Sequence, residues 1–146
     1  MACREMPADP LSDTRVLVVE EEADVLEAIV SALSSLYRPT PCRSAHRALA
    51  LLESGGRFDV LVCAYQMLEM TGRDLHERLA EIDFLLARNS LLIVAGRPSP
   101  DDERYLDQAG VRLLYHPFRL ERLREETRML AARAALALLR WHDRPA

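Results

Sequence analysis

The chain has 146 residues, 49% of them hydrophobic and 29% charged, the balance of one globular domain with room for a sizeable core. Its formal net charge of −4 comes from interspersed acids and arginines, which excludes a basic footprint for nucleic acid. No lysine occurs, which excludes side-chain amine chemistry, and Cys3, Cys42 and Cys63 lack metal-ligand spacing. The start, "MACREMPADPLSD", has no apolar stretch of the signal-peptide kind, and no run approaches the length of a membrane span. A soluble, cytoplasmic protein is expected, with its cysteines as small apolar fillers.

In chain order, residues 1–13 read as a disordered lead-in. "RVLVV" (15–19) is a continuous apolar run, the mark of a strand covered on both faces. Leu26, Ile29, Leu33 and Leu36 then share one face of a helix. "RPTPC" contains two donor-less prolines and fits only an edge strand. Ser44 is placed to cap a short helix that "SGG" ends. "DVLVC" (59–63) is a second buried strand, and Leu75, Leu79 and Ile82 give the next helix its face. "LLIVA" (91–95) is a third. "SPDDERYLDQAG" reads as a whole helix, with Ser99 as N-cap, Pro100 at the first position and Gly110 just past the end. "VRLLY" (111–115) is the last strand, and a long helix over 119–141 follows "HPF".

Five strand–helix units with short connections predict an α/β fold, a doubly wound five-stranded parallel sheet with an extended C-terminal helix. The phosphate-cradling glycine loops of related folds are absent from the sequence. Such sheets carry their working groups at the carboxyl ends of the strands. Those positions hold Glu20 and Glu21 after the first strand, Ala64 after the third, Ala95 after the fourth and His116 after the fifth.

The ordered motifs "VLVVEEE", "FDVLVCAYQMLEMTG", "LLIVAG" and "AGVRLLYHPF" resemble the receiver domain of two-component response regulators, over roughly residues 14–129. The resemblance implies the flavodoxin-like strand order 2-1-3-4-5. It also implies an acidic pair after the first strand, a phosphoacceptor aspartate after the third, a Thr or Ser after the fourth and Lys-Pro after the fifth. Glu20 and Glu21 match the acidic pair with one extra methylene each, and Pro117 and Phe118 agree. Ala64 stands at the phosphoacceptor position, Ala95 at the hydroxyl position, His116 at the lysine position and Leu113 at the aromatic switch position. Glu69, Met70 and Gly72 keep the loop pattern, with Leu68 in place of its proline. A carboxylate nucleophile is needed to take a phosphoryl group, and a methyl group is none. The expected protein is a degenerate pseudo-receiver: no enzyme, no catalytic residue, no cofactor and no resident metal.

Two alternatives accompany that expectation. One is a phosphorylatable receiver whose acceptor aspartate has been substituted at Ala64; the other is an enzyme or metal site built on Glu20, Glu21 and His116. Cys63 sits inside a predicted buried strand and reads as core. His46 and His76 are expected on helix surfaces, and Tyr65 and Gln66 on the surface above the site.

The final helix carries a heptad-like series, Leu120, Leu123, Thr127, Leu130, Ala134, Ala137 and Trp141, beside a second stripe of Met129, Ala132, Leu136 and Leu139. Residues 130–146 are therefore expected to project as a helical extension with exposed apolar surface. Leu130, Ala134, Leu138 and Trp141 are the expected partner-binding residues, Trp141 as anchor. The partner is a signalling protein or a second copy of the chain, with no nucleic acid and no membrane. No DNA-binding or catalytic output domain is expected beyond the helix, so the expectation is action through a bound protein in bacterial signalling rather than as a transcription factor acting alone.

Overall fold

The computed structural model describes residues 9 to 142, with side chains through Leu139. Its elements are β1 (Arg15–Val19), α1 (Ala23–Ser34), β2 (Arg38–Cys42), α2 (Ala45–Glu53), β3 (Val60–Ala64), α3 (Gly72–Ile82), α4 (Phe84–Arg88), β4 (Ser90–Val94), α5 (Pro100–Gln108), β5 (Arg112–Tyr115) and α6 (Leu120–His142). The five strands form one parallel sheet in the order β2-β1-β3-β4-β5. This is the predicted doubly wound architecture.

Period-two alternation along the strands divides the core between the two faces. Leu17, Val19, Leu61, Cys63, Leu92 and Val94 point to one face, where α2, α3, α4 and α5 cover them. Val16, Val18, Val60, Val62, Leu91 and Ile93 point to the other, beneath α1 and α6. β1, β3 and β4 are interior strands buried on both faces, so their apolar runs are continuous. The two prolines of β2 fit its place at the edge. Arg38 donates its N–H to Thr14 O at 2.9 Å and Cys42 O accepts from Glu20 N at 3.0 Å, so the even positions face β1. Pro39 and Pro41 alternate with them and face outward.

Local signals place the helix ends. Ser44 Oγ accepts from Arg47 N at 3.3 Å, and Ser99 Oγ accepts from Asp102 N at 3.1 Å with Pro100 at the first position of α5. Gly110 follows α5 at φ +72°, a conformation that glycine adopts freely. Thr71 and Asp74 form a reciprocal capping box on α3.

Several expectations need correction. Residues 9–13 are not a disordered lead-in: Thr14 N bonds Leu11 O at 3.1 Å, Leu11 packs under α6, and Asp9 pairs with Arg128 at 3.0 Å. Residues 1–8 lie outside the described residues. Leu36 lies past the end of α1 and Ile82 is the last residue of α3, and both are exposed. The short α4 was not foreseen; Asp83 caps it by accepting from Leu86 N at 3.1 Å.

The boundary at 129/130 falls inside α6, whose burial continues through Leu130, Ala131 and Ala134. The three-four alternation of a coiled-coil seam is also the stripe that any amphipathic helix turns toward its own core. Here Leu123, Leu130 and Ala131 pack with Leu91, Ile93 and Leu114 of the sheet.

Candidate functional site

The carboxyl ends of β1, β3, β4 and β5 open into one pocket, lined by Glu20, Glu21, Glu22, Ala64, Gln66, Ala95 and His116 among others. The fold thus gathers the predicted set. Ala64 ends β3, 8% exposed, with only its methyl group to offer. Gly72, the first residue of α3, approaches that strand end closely: a Cβ there would meet Ala64 O at 3.1 Å and Leu92 Cδ1 at 3.0 Å. Its own N–H donates to Tyr65 O at 2.7 Å.

The two matched glutamates are engaged locally. Glu20 Oε2 accepts from Glu21 N at 2.8 Å. Burial pushes the Glu20 carboxyl above its ordinary range, against the N–H groups of Glu21 and Glu22 that favour its anion. Glu21 Oε1 accepts from Leu68 N at 2.8 Å, and Arg43 holds the Glu21 carbonyl at 3.1 and 3.2 Å. Glu21 therefore ties down the loop after β3. His116 is exposed, donates its backbone N–H to Val94 O at 2.9 Å and rests its ring 4.9 Å from that of Phe118. Among the described residues no three His, Cys, Asp or Glu side chains are grouped as metal ligands would be, Glu20, Glu21 and His116 included.

Residues 65 and 66 hold the main surprise. Tyr65 was expected on the surface but is 6% exposed. Strand alternation carries one residue past β3, so Tyr65 follows Cys63 to the α3/α5 face. There its hydroxyl donates to Asp102 in the first turn of α5. Asp102 also accepts from Arg73 of α3 at 2.8 Å, and Arg73 reaches Asp101 at 3.1 Å and Glu77 at 2.6 Å. The Tyr65 hydroxyl and then Arg73 hold the Asp102 carboxyl below its ordinary range. Gln66, on the pocket side, donates from Nε2 to Ala95 O at 2.6 Å and accepts from Ala95 N at 3.2 Å.

His76 lies in the core rather than on the helix surface. It is 4% exposed, between Tyr105 Oη at 2.8 Å from Nδ1 and Ala87 O at 2.9 Å from Nε2. Burial lowers its pKa. Gly72, Leu75, His76 and Leu79 follow the i, i+3, i+4, i+7 spacing of a buried helix face, a signal present in the sequence. His46 is exposed as expected and pairs with Glu69 at 3.0 Å. Cys63 is fully buried, and burial pushes its thiol up, as a core residue requires. Leu113 packs half-buried on the α5 side of the sheet.

On α6, two expected partner residues are claimed by the protein's own core: Leu130 is 1% and Ala134 6% exposed. Leu138 remains exposed, and the Trp141 side chain lies outside those described. Met129, Leu136 and Leu139 form an exposed apolar stripe on the outer side of the helix.

A five-stranded parallel sheet in the order 2-1-3-4-5, with helices on both faces and a pocket at its carboxyl edge, is the flavodoxin-like fold of receiver domains. Solved structures of such domains superpose over most of the chain. A CheY-like response regulator receiver domain from Methanospirillum hungatei matches with TM-score 0.77 at 18% identity, over 86% of this chain and 99% of the other. The signal receiver domain of an HD domain-containing protein from Pseudomonas fluorescens gives TM-score 0.75 at 22% identity, over 88% and 93%. A structure of adenylate cyclase from Rhodopirellula baltica gives TM-score 0.78 at 17% identity, over 89% and 96%. Neither a family model nor a curated protein sequence matches the chain.

Proposed function

We propose that this chain is a receiver-like protein that takes no phosphoryl group and acts as a protein–protein adaptor in bacterial signal transduction. The observation that carries the reading is the methyl group of Ala64 at the end of β3, in the pocket that also holds Glu20 and Glu21. Phosphoryl transfer to a receiver needs a carboxylate lone pair to form the new P–O bond as the donor's P–O bond breaks. Ala64 has none. Magnesium wants oxygen ligands in near-octahedral geometry at about 2.0–2.1 Å. Ala64 supplies no side-chain oxygen and Glu21 Oε1 is already bound to the Leu68 N–H, so these residues are a poor fit for a magnesium cage. Ala95 brings no hydroxyl to a phosphoryl group.

The test is intact-mass spectrometry after incubation with acetyl phosphate and magnesium, on the native chain and on Ala64→Asp. Neither is expected to gain a phosphoryl mass. A gain by the native chain would sink the reading, and a gain by Ala64→Asp alone would favour a substituted but otherwise competent receiver.

The exposed stripe of Met129, Leu136 and Leu139, with Leu138 nearby, supports docking through α6. A second copy of the chain is the other occupant this stripe suits. Light scattering on the native chain and on a Leu136→Glu, Leu139→Glu double variant separates the two. A native dimer that becomes a monomer in the variant favours self-association. A monomer in both leaves the stripe to a different protein.

A further inference from the structure

The two residues after Ala64 reach across the pocket and the sheet to the segment that follows β4. We propose that Gln66 and Tyr65 form a permanent clamp that holds the β4–α5 loop and the start of α5 in one arrangement. The inference rests on the reading of Ala64 as a position that takes no phosphoryl group, and it supplies what keeps the neighbouring loop in place.

The geometry at Gln66 is that of a substitute backbone. Its amide donates to Ala95 O at 2.6 Å and accepts from Ala95 N at 3.2 Å, so both polar groups of one residue are engaged by one side chain. Ala95 is exposed and is the first residue beyond β4, where the sheet's own pairing runs out. Gly96 follows at φ +94°, a backbone turn that frees the chain from strand geometry. Gln66 therefore fixes the last point before the loop departs.

Tyr65 fixes the far end of the same loop. Its backbone N–H bonds Ile93 O at 2.9 Å on β4, and its hydroxyl reaches Asp102, three residues past the Ser99 cap of α5. Arg73 closes the arrangement from α3, bonding Asp102 at 2.8 Å and Asp101 at 3.1 Å while its guanidinium lies 4.6 Å over the Tyr105 ring. Ala95 and Asp102 bracket the loop, and both are held by neighbouring residues of one rigid strand end. Movement of this loop relative to β3 requires breaking three side-chain hydrogen bonds, one of them charge-assisted and partly buried. The β4–α5 loop and the first turn of α5 are thus held in one state.

Hydrogen exchange followed by NMR tests the clamp at single amides. The Ala95 N–H has Gln66 as its acceptor, so Gln66→Ala is expected to speed its exchange roughly fivefold or more, about the worth of an ordinary hydrogen bond. Gln66→Glu keeps the acceptor but loses the donor to Ala95 O, and its effect is expected to be smaller. Tyr65→Phe is expected to speed exchange at Asp102 and Glu103 and to leave Ala95 unchanged. Unaltered exchange at Val62 in each variant shows that the core is intact. The clamp is overturned if Ala95 exchanges at the native rate in Gln66→Ala. Failure of the underlying reading has a separate signature, a phosphoryl mass gained by the native chain from acetyl phosphate.

Discussion

Glu126 of α6 and Arg112 of β5 are joined through two nitrogens of the guanidinium, with the Glu126 side chain only 4% exposed. Arg122, one turn earlier on the same helix, adds a second cation at 2.9 Å. A carboxylate this deep inside the helix's buried stripe is stable only because it is paired. The pair staples the edge strand β5 to the helix that covers it.

Removing Arg112 leaves Glu126 buried with one solvent-exposed partner. Arg112→Ala is expected to lower stability by roughly 2–3 kcal/mol, below the ~3–5 typical of a fully buried pair because Arg112 is 36% exposed. Urea unfolding checks it. A loss under about 0.5 kcal/mol would place the pair among ordinary surface bridges.

The two sides of α6 should separate cleanly in the same assay. Leu123→Ala and Leu130→Ala delete side chains that are 0% and 1% exposed, and each is expected to cost about 2–5 kcal/mol. Leu136→Ala and Leu139→Ala, at 56% and 60% exposure, are expected to stay within about 0.5 kcal/mol. Equal losses on both sides would show that the outer stripe is covered in solution.

His76 gives stability a pH slope of known sign. Its folded pKa is depressed by burial, so below the ordinary histidine range the unfolded chain binds the proton that the native site resists. Stability contributed by neutral His76 is present above about pH 6.5 and falls as pH drops from there toward the depressed value. His76→Gln is expected to flatten that slope between pH 7 and pH 5 in urea midpoints. An unchanged slope would assign it to other groups.

Glu20 has the opposite sign. Burial raises its folded pKa, so its contribution is favourable below the ordinary glutamate range and is lost as pH rises through the raised value. Glu20→Gln keeps an oxygen to accept from Glu21 N and removes the charge. It is expected to raise the urea midpoint at pH 7 and to leave it unchanged at pH 3, where the native carboxyl is protonated. A lower midpoint at pH 7 would mean that the Glu20 anion is needed in place.

Much of this was legible in residue order alone. Strands buried on both faces announce themselves as unbroken apolar runs, and Ser99, Pro100 and Gly110 mark both ends of α5 by local chemistry. The pocket residues could be placed because a parallel sheet puts its strand ends on one edge. What escaped depended on contacts distant in sequence. Tyr65 meets Asp102 across 37 residues, and Gln66 meets Ala95 across 29. On α6, periodicity located an apolar seam but could not say whether the protein's own sheet or another chain would cover it. The five residues of α4 are too few to show a period.

The outward-facing Pro39 and Pro41 of β2 have a consequence for how these molecules meet one another. A strand arriving along that margin would seek backbone N–H donors at alternate positions and find pyrrolidine rings instead. The sheet therefore cannot be lengthened from this side, by a neighbouring copy or by an unfolded chain. At this margin any contact with another chain is left to side-chain surfaces, where a sequence can choose its company.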